Sequence, residues 1–72
     1  MNKNMLAGIM KMNGDTQAVL ASDLGISLGR LNAKINETGG AEFTQREISR
    51  IKERYRLDPG EVDKIFFASN VS

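Results

Sequence analysis

The feature that most constrains this chain is the short turn at residues 24–27 (LGIS), which separates two amphipathic segments. Gly25 is suited to end the first segment, because glycine readily adopts the left-handed conformation that closes many helices. Ser27 is suited to begin the second, because its hydroxyl accepts a hydrogen bond from the free backbone N–H groups of a first helical turn. The sequence therefore predicts a helix-turn-helix, with helices over residues 17–24 and 28–36.

Two later segments begin with the same kind of capping sequence. Thr44 and Glu47 have the spacing of a capping box, in which each side chain bonds the backbone N–H of the other residue. Asp58 and Glu61 repeat it, and Pro59 occupies the first helical position, where its missing N–H is not needed. Apolar residues recur at helical spacing, and no segment alternates as a strand would. We therefore predict an all-α, compact five-helix domain spanning residues 1–72, with a first helix over residues 3–12 and a frayed C-terminal end.

Length and composition exclude several classes of function. Seventy-two residues are enough for one domain. The chain has no cysteine and no histidine, which are the commonest metal ligands and, for histidine, the commonest general base. It also has no glycine-rich phosphate loop. We expect no enzymatic activity, no metal or cofactor and no small-molecule ligand. Without a signal sequence or an apolar run of membrane-spanning length, the expected location is the cytoplasm.

The segment around the turn resembles a known family. The pattern Gln17-x-x-Leu20-Ala21-x-x-Leu24-Gly25-Ile26-Ser27-x-x-x-Leu31-x-x-x-Ile35 is similar to the helix-turn-helix of the phage Cro/C-repressor family. The resemblance continues at residues 34–36, 42–44 and 61–67, and it extends to the small Cro-like regulators of phages of Gram-positive bacteria. It implies a lambda-repressor-like fold and a transcriptional regulator of the lytic/lysogenic switch that binds operator DNA in the bacterial host cell.

In such a motif the second helix enters the major groove of DNA. Leu31 and Ile35 are expected to face the core, so the opposite side of the helix is available to the bases. Asn32 is the best candidate for base recognition, because its amide can bond adenine at two points, and Asn36 is the second. Arg30 and Lys34, at the flanks, could reach phosphates or guanine, and the resemblance implies a phosphate contact by Gln17. The predicted DNA surface comprises Gln17, Ser27, Leu28, Gly29, Arg30, Asn32, Ala33, Lys34 and Asn36.

The same surface permits a second interpretation. Leu28, Gly29 and Ala33 carry no side-chain hydrogen-bonding group, and the net charge of the chain is only +1. A protein-interaction module is therefore the alternative: an antirepressor or modulator that binds a partner phage repressor and binds DNA weakly or not at all alone. Leu28 would then pack against that partner. It could instead contact a thymine methyl group, or lie against the edge of its own core.

The C-terminal half offers further candidate contacts. Arg46 and Arg50 are four residues apart and share a helix face, which is either a solvated face with weak ion pairs or a patch for phosphates or an acidic partner. Phe66 and Phe67 are adjacent, so they cannot both face one core. The resemblance implies dimerisation through the last helix, with Phe67 and Val71 as contacts. The alternative is that Phe67 covers the core of its own domain.

Overall fold

The computed structural model describes residues 1–67, which form five α-helices and no strand. The helices are α1 (Lys3–Met12), α2 (Gln17–Leu24), α3 (Leu28–Asn36), α4 (Gln45–Tyr55) and α5 (Pro59–Val62). A 3₁₀ turn over Thr38–Gly40 precedes α4, and a π-helical turn over Asp63–Phe67 continues α5. The Cα radius of gyration is 11.4 Å, close to the ~11 Å of a compact chain of this length. The prediction of a compact, all-helical fold is confirmed.

The predicted capping residues fix the helix ends. The hydroxyl of Ser27 accepts from the backbone N–H of Arg30 at 3.1 Å at the start of α3, and Gly25 ends α2 with a φ of +71°. Both reciprocal capping boxes are formed, at the starts of α4 and α5. Because α2 and α3 are separated only by residues 25–27, these local bonds also fix the direction in which α3 leaves the turn.

The core contains one large apolar side chain from each of α1, α2, α3 and α4 and one from the π-helical turn. These side chains have relative exposures below 2%, and they are Leu6, Leu20, Leu31, Ile51 and Ile65. All five belong to one apolar cluster, which therefore joins α1, α2, α3, α4 and the C-terminal turn. Burying an aliphatic side chain contributes ~1.5–3 kcal/mol, so this cluster is the main source of stability in so small a domain.

A set of ion pairs fastens α4 to both ends of α2. The guanidinium of Arg54 donates to the two carboxylate oxygens of Asp15 at 2.8 and 3.0 Å, just before α2. It also lies 3.3 Å from Asp23, near the other end of α2, where Arg50 donates to Asp23 at 2.9 and 3.1 Å. The hydroxyl of Tyr55 donates to Asp15 at 2.7 Å. These paired contacts hold α4 against both ends of α2.

No helix in the described part of the chain is long and apolar enough to cross a bilayer.

Candidate nucleic-acid interface

The exposed side of α3 is largely the side that its apolar pattern predicts. Leu31 and Ile35 are buried in the core, as expected. Ala33 is partly exposed. The remaining positions of the predicted surface in and just before α3 are exposed, and they are Ser27, Leu28, Gly29, Arg30, Asn32 and Asn36. The helix therefore presents two asparagines and one arginine to solvent beside an apolar first turn.

A chain of hydrogen bonds joins the polar side chains of this surface. The Asn32 amide nitrogen donates to Gln17 Oε1 at 3.3 Å, across the angle between α2 and α3. The Asn36 amide nitrogen donates to Asn32 Oδ1 at 3.0 Å and to the Asn32 backbone carbonyl at 3.1 Å. The ammonium of Lys3, in α1, donates to Asn36 Oδ1 at 3.3 Å. Four side chains from three helices thus form one connected row.

The row leaves Asn32 with the groups that an adenine edge requires. An amide carries two N–H donors and an oxygen with two lone pairs. Asn32 uses one donor for Gln17 and one lone pair for Asn36. The free donor and the free lone pair match the N7 acceptor and the N6 amino donor of adenine. Gln17 uses only its oxygen in the row, so its NH₂ group is available to a phosphate oxygen.

The predicted position of Lys34 at an exposed flank is wrong. Lys34 is 6% exposed, and its ammonium is hydrogen-bonded to Glu47 at the start of α4. Burial raises the pKa of Glu47, but hydrogen bonds from Lys34 and from Thr44 outweigh that effect and leave the pKa below its ordinary value. The Glu47 carboxylate therefore stays ionised at neutral pH, and its contact with Lys34 joins the second half of α3 to α4. A lysine held in this way does not extend outward from the surface.

Leu28 is an exposed apolar residue at the first position of α3. Half of its surface is accessible, at 51%, and it lies outside the apolar cluster that forms the core. The alternative in which Leu28 packs against the edge of the core is therefore wrong. Val19, in α2, is a second exposed apolar side chain, at 45%.

The charges around α3 are favourable to an anion. Residues 1–36 contain four lysine or arginine residues and two carboxylates, and both carboxylates, Asp15 and Asp23, are paired with arginines of α4. Hydrogen bonds from these arginines, with Tyr55 adding to the effect at Asp15, hold the pKa of each carboxyl below its ordinary value of 3.8. Within residues 1–67, the cations Lys3, Lys11 and Arg30 make no ion pair, so they give this side a positive field.

Two of these cations, Lys3 and Lys11, were not part of the predicted surface. Both are exposed and line a groove between α1 and the start of α2, together with Gln17 and the apolar side chains of Leu6 and Met10. The spacing of eight residues, about 80° apart around the helix axis, is compatible with two lysines at the two sides of one broad helix face. The sequence alone gives no indication that this face adjoins Gln17.

Of the two arginines predicted to form a cationic face on α4, Arg50 is in an ion pair and Arg46 is in none among the described residues. Arg50 is committed to Asp23, and that contact raises the pKa of its guanidinium. Arg46 is exposed and lines a shallow groove that also contains Asp23, Glu47 and Glu53. The ion pair of Arg50 and the three carboxylates reduce the attraction of this face for phosphate.

The two adjacent phenylalanines separate as the sequence predicts. Phe66 packs edge-on against Phe43, with ring centroids 5.5 Å apart, while Phe67 is 54% exposed. Val71, the other predicted dimer contact, lies outside the described residues. Dimerisation through this end of the chain stays a prediction.

Comparisons of the chain with known protein families, with characterised proteins and with solved structures find no match. Among residues 1–67 there is also no group of side chains arranged to hold a metal ion. The case for a function therefore depends on the geometry and charge of the surface formed by α1, α2 and α3.

Proposed function

We propose that this chain is a Cro-like transcriptional regulator that binds operator DNA through a helix-turn-helix formed by α2 and α3. In this proposal it acts in the lytic/lysogenic switch of a phage, in the cytoplasm of the bacterial host. The observation that carries the proposal is the hydrogen-bonded row of amides, which leaves Asn32 one donor and one acceptor in the pattern of an adenine edge.

The scaffold supports the same proposal. The turn between α2 and α3 is rigidly defined by its caps, and the core side chains Leu20 and Leu31 fix the packing of the two helices. Preformed geometry lowers the entropy that binding must remove. The unpaired cations Lys3, Lys11 and Arg30 supply the sequence-independent attraction to phosphates that most DNA-binding proteins use.

The proposal includes a dimer. One good bidentate contact contributes ~1–3 kcal/mol of discrimination, whereas specific binding generally exceeds non-specific binding by ~4–10 kcal/mol. A single copy of α3, in which Asn32 is the side chain with a free donor and a free acceptor for such a contact, falls short of that difference. Two copies on a pseudo-palindromic site would reach it.

A second function is favoured by a specific observation, the exposure of Leu28 and Val19 beside the same helix. A contiguous exposed apolar patch rimmed by polar residues marks a protein-interaction site, and in this second proposal Leu28 and Val19 form one. The alternative is an antirepressor or modulator that binds a partner phage repressor through this face. It differs from the first proposal in requiring the partner for any effect on DNA.

One experiment separates the two proposals. Purified protein is titrated, with and without the partner repressor, against DNA from the intergenic region upstream of its gene and against a shuffled duplex of equal length, at several salt concentrations. The first proposal predicts preferential binding to the intergenic DNA by the protein alone, weakening steeply as salt rises. Capture of the repressor with no DNA binding by the protein alone would instead establish the modulator.

A further inference from the structure

We infer that Lys3, on α1 and outside the helix-turn-helix, is a positioning residue that sets the orientation of the amides facing DNA. The inference rests on the proposed function, because it concerns how the same surface reads a base. It comes from one contact that joins α1 to the end of α3, the hydrogen bond from the Lys3 ammonium to Asn36 Oδ1.

The chemistry of lysine gives this contact a direction. An ammonium has three N–H donors and no acceptor, so Asn36 must present its oxygen to Lys3. Its NH₂ group then points the other way, toward the side-chain oxygen and the backbone carbonyl of Asn32. The Asn32 oxygen is thereby engaged by a donor, and the Asn32 NH₂ group points to Gln17. Every donor in the row is directed from α1 toward α2.

The direction of the row decides which group ends it. With the donors directed toward α2, Gln17 accepts through its oxygen and its NH₂ group remains free. A free NH₂ group attracts a phosphate oxygen, whereas a free amide oxygen would repel it. If the row ran in the opposite direction, Gln17 would donate to Asn32 and present its own oxygen outward. Lys3 thus favours the orientation in which Gln17 can bind a phosphate.

The backbone carbonyl of Asn32 acts in the same sense, because it accepts from the NH₂ group of Asn36 at 3.1 Å. Lys3 therefore reinforces an orientation that the helix already favours, and it prevents Asn36 from turning its oxygen away into solvent. We expect removal of the Lys3 ammonium to loosen the row rather than to abolish it, with a loss of base discrimination of roughly fivefold to tenfold, the lower part of the range for one bidentate contact.

Lys11 is a matched control within the same helix. It is an exposed lysine eight residues further along α1, it lines the same groove near Gln17, and it has no hydrogen bond to the amides among the described residues. Lys3→Met and Lys11→Met each remove one positive charge close to the proposed DNA. Only Lys3→Met also removes the donor to Asn36. Lys3→Arg keeps a cationic donor at the same place.

The first readout needs no DNA. The side-chain NH₂ resonances of Gln17, Asn32 and Asn36 are recorded by ¹H–¹⁵N NMR for the unmodified protein and for the three variants. Lys3→Met should shift the resonances of Asn36 and Asn32 and, more weakly, that of Gln17, while Lys11→Met leaves them in place and Lys3→Arg restores them in part. Unchanged resonances in Lys3→Met would overturn the inference.

The second readout is the ratio of affinities for the operator and for a duplex with one altered base pair, measured by fluorescence anisotropy. Both methionine variants should weaken binding to the two duplexes and reduce the salt dependence, because each loses a cation. Only Lys3→Met should also lower the ratio. Equal ratios for the two variants would overturn the positioning role. If the unmodified protein shows no preference for any duplex, while the NMR shifts still occur, the proposed function fails and the hydrogen-bonded row itself stands.

Discussion

Leu28 lies at the first position of α3 with 51% of its surface exposed, and it distinguishes the two proposed functions. Against DNA, an apolar side chain there can contact only a thymine methyl group or nothing at all. Against a protein partner, it would be an anchor in a desolvated contact. Replacing Leu28 with a charged residue therefore has opposite consequences for binding to DNA and for binding to a protein partner.

We predict that Leu28→Lys preserves or strengthens DNA binding and raises its salt dependence by about one phosphate contact. If the face binds a partner repressor instead, the substitution should weaken that complex by roughly 30-fold, the effect of losing a strong interface residue. Met12→Lys is the control, because Met12 is an apolar residue of α1 with 88% exposure. Isothermal titration with each ligand gives both affinities, and equal effects of the two substitutions would show that Leu28 has no special role.

Single residues also show where local patterns mislead. With Leu31 and Ile35 facing the core, the helical pattern predicts Lys34 at a flank of the exposed side, but the side chain is buried. Its spacing of three from Leu31 and its position next to Ile35 place it at the edge of the buried side of α3, and this spacing could have indicated burial. The partner that makes burial tolerable, Glu47, lies thirteen residues away, and no local pattern identifies such a partner.

At the scale of helices, the local sequence was sufficient for most of the architecture. The bounds of α1, α2 and α3 follow from caps, glycines and apolar spacing, all of which act within a few residues. The sequence did not indicate the left-handed residues Glu37 and Arg56, which end α3 and α4 with φ values of 55° and 53°. These residues are not glycine, so residue type gave no sign of the left-handed conformation, although their backbone N–H groups bond to carbonyls of the preceding helical turn.

The ion pairs between α4 and α2 were also beyond local prediction, because they join residues 27 and 39 positions apart. They make stability depend on pH. The pKa values of Asp15 and Asp23 are lower in the folded protein than the ordinary 3.8, so the unfolded chain binds protons first as pH falls. Their contribution is therefore complete above the unfolded pKa and is lost as the pH falls through the folded pKa.

We predict that the free energy of unfolding, measured by urea denaturation, is nearly constant between about pH 6 and pH 5 and decreases progressively below about pH 4. Asp15→Asn should lower stability at pH 6 and make the acid decrease shallower, because one of the shifted carboxyls is gone. Asp63→Asn is the control, since Asp63 is exposed and makes no ion pair among residues 1–67. An acid decrease of the same steepness in Asp15→Asn and the unmodified protein would contradict this account.

At the scale of the whole molecule, the near-neutral net charge of +1 conceals an uneven distribution. The carboxylates of the first 36 residues are neutralised by arginines of α4, while three cations near α3 have no carboxylate partner in the described part of the chain. Residues 37–72 contain seven carboxylates and six lysine or arginine residues. A molecule of this kind would approach DNA in one preferred orientation, with the side formed by α1, α2 and α3 toward the phosphates.

The sequence predicted the helices of this surface, but it did not predict the row of hydrogen bonds or the participation of α1. The row depends on the angle between α2 and α3 and on the position of α1 across the end of α3. Both are consequences of core packing among Leu6, Leu20 and Leu31, whose geometry the spacing of apolar residues does not specify.

The most direct test of the central claim is the effect of Asn32→Ala on base discrimination. Affinities for the operator and for duplexes altered at each base pair are measured by fluorescence anisotropy, with Gln45→Ala, an exposed amide in the first turn of α4, as the control. The account predicts that Asn32→Ala lowers discrimination about tenfold at one A·T pair in each half-site and leaves the others unchanged, whereas Gln45→Ala changes none. Uniform weakening across all duplexes, or equal effects of the two substitutions, would contradict it.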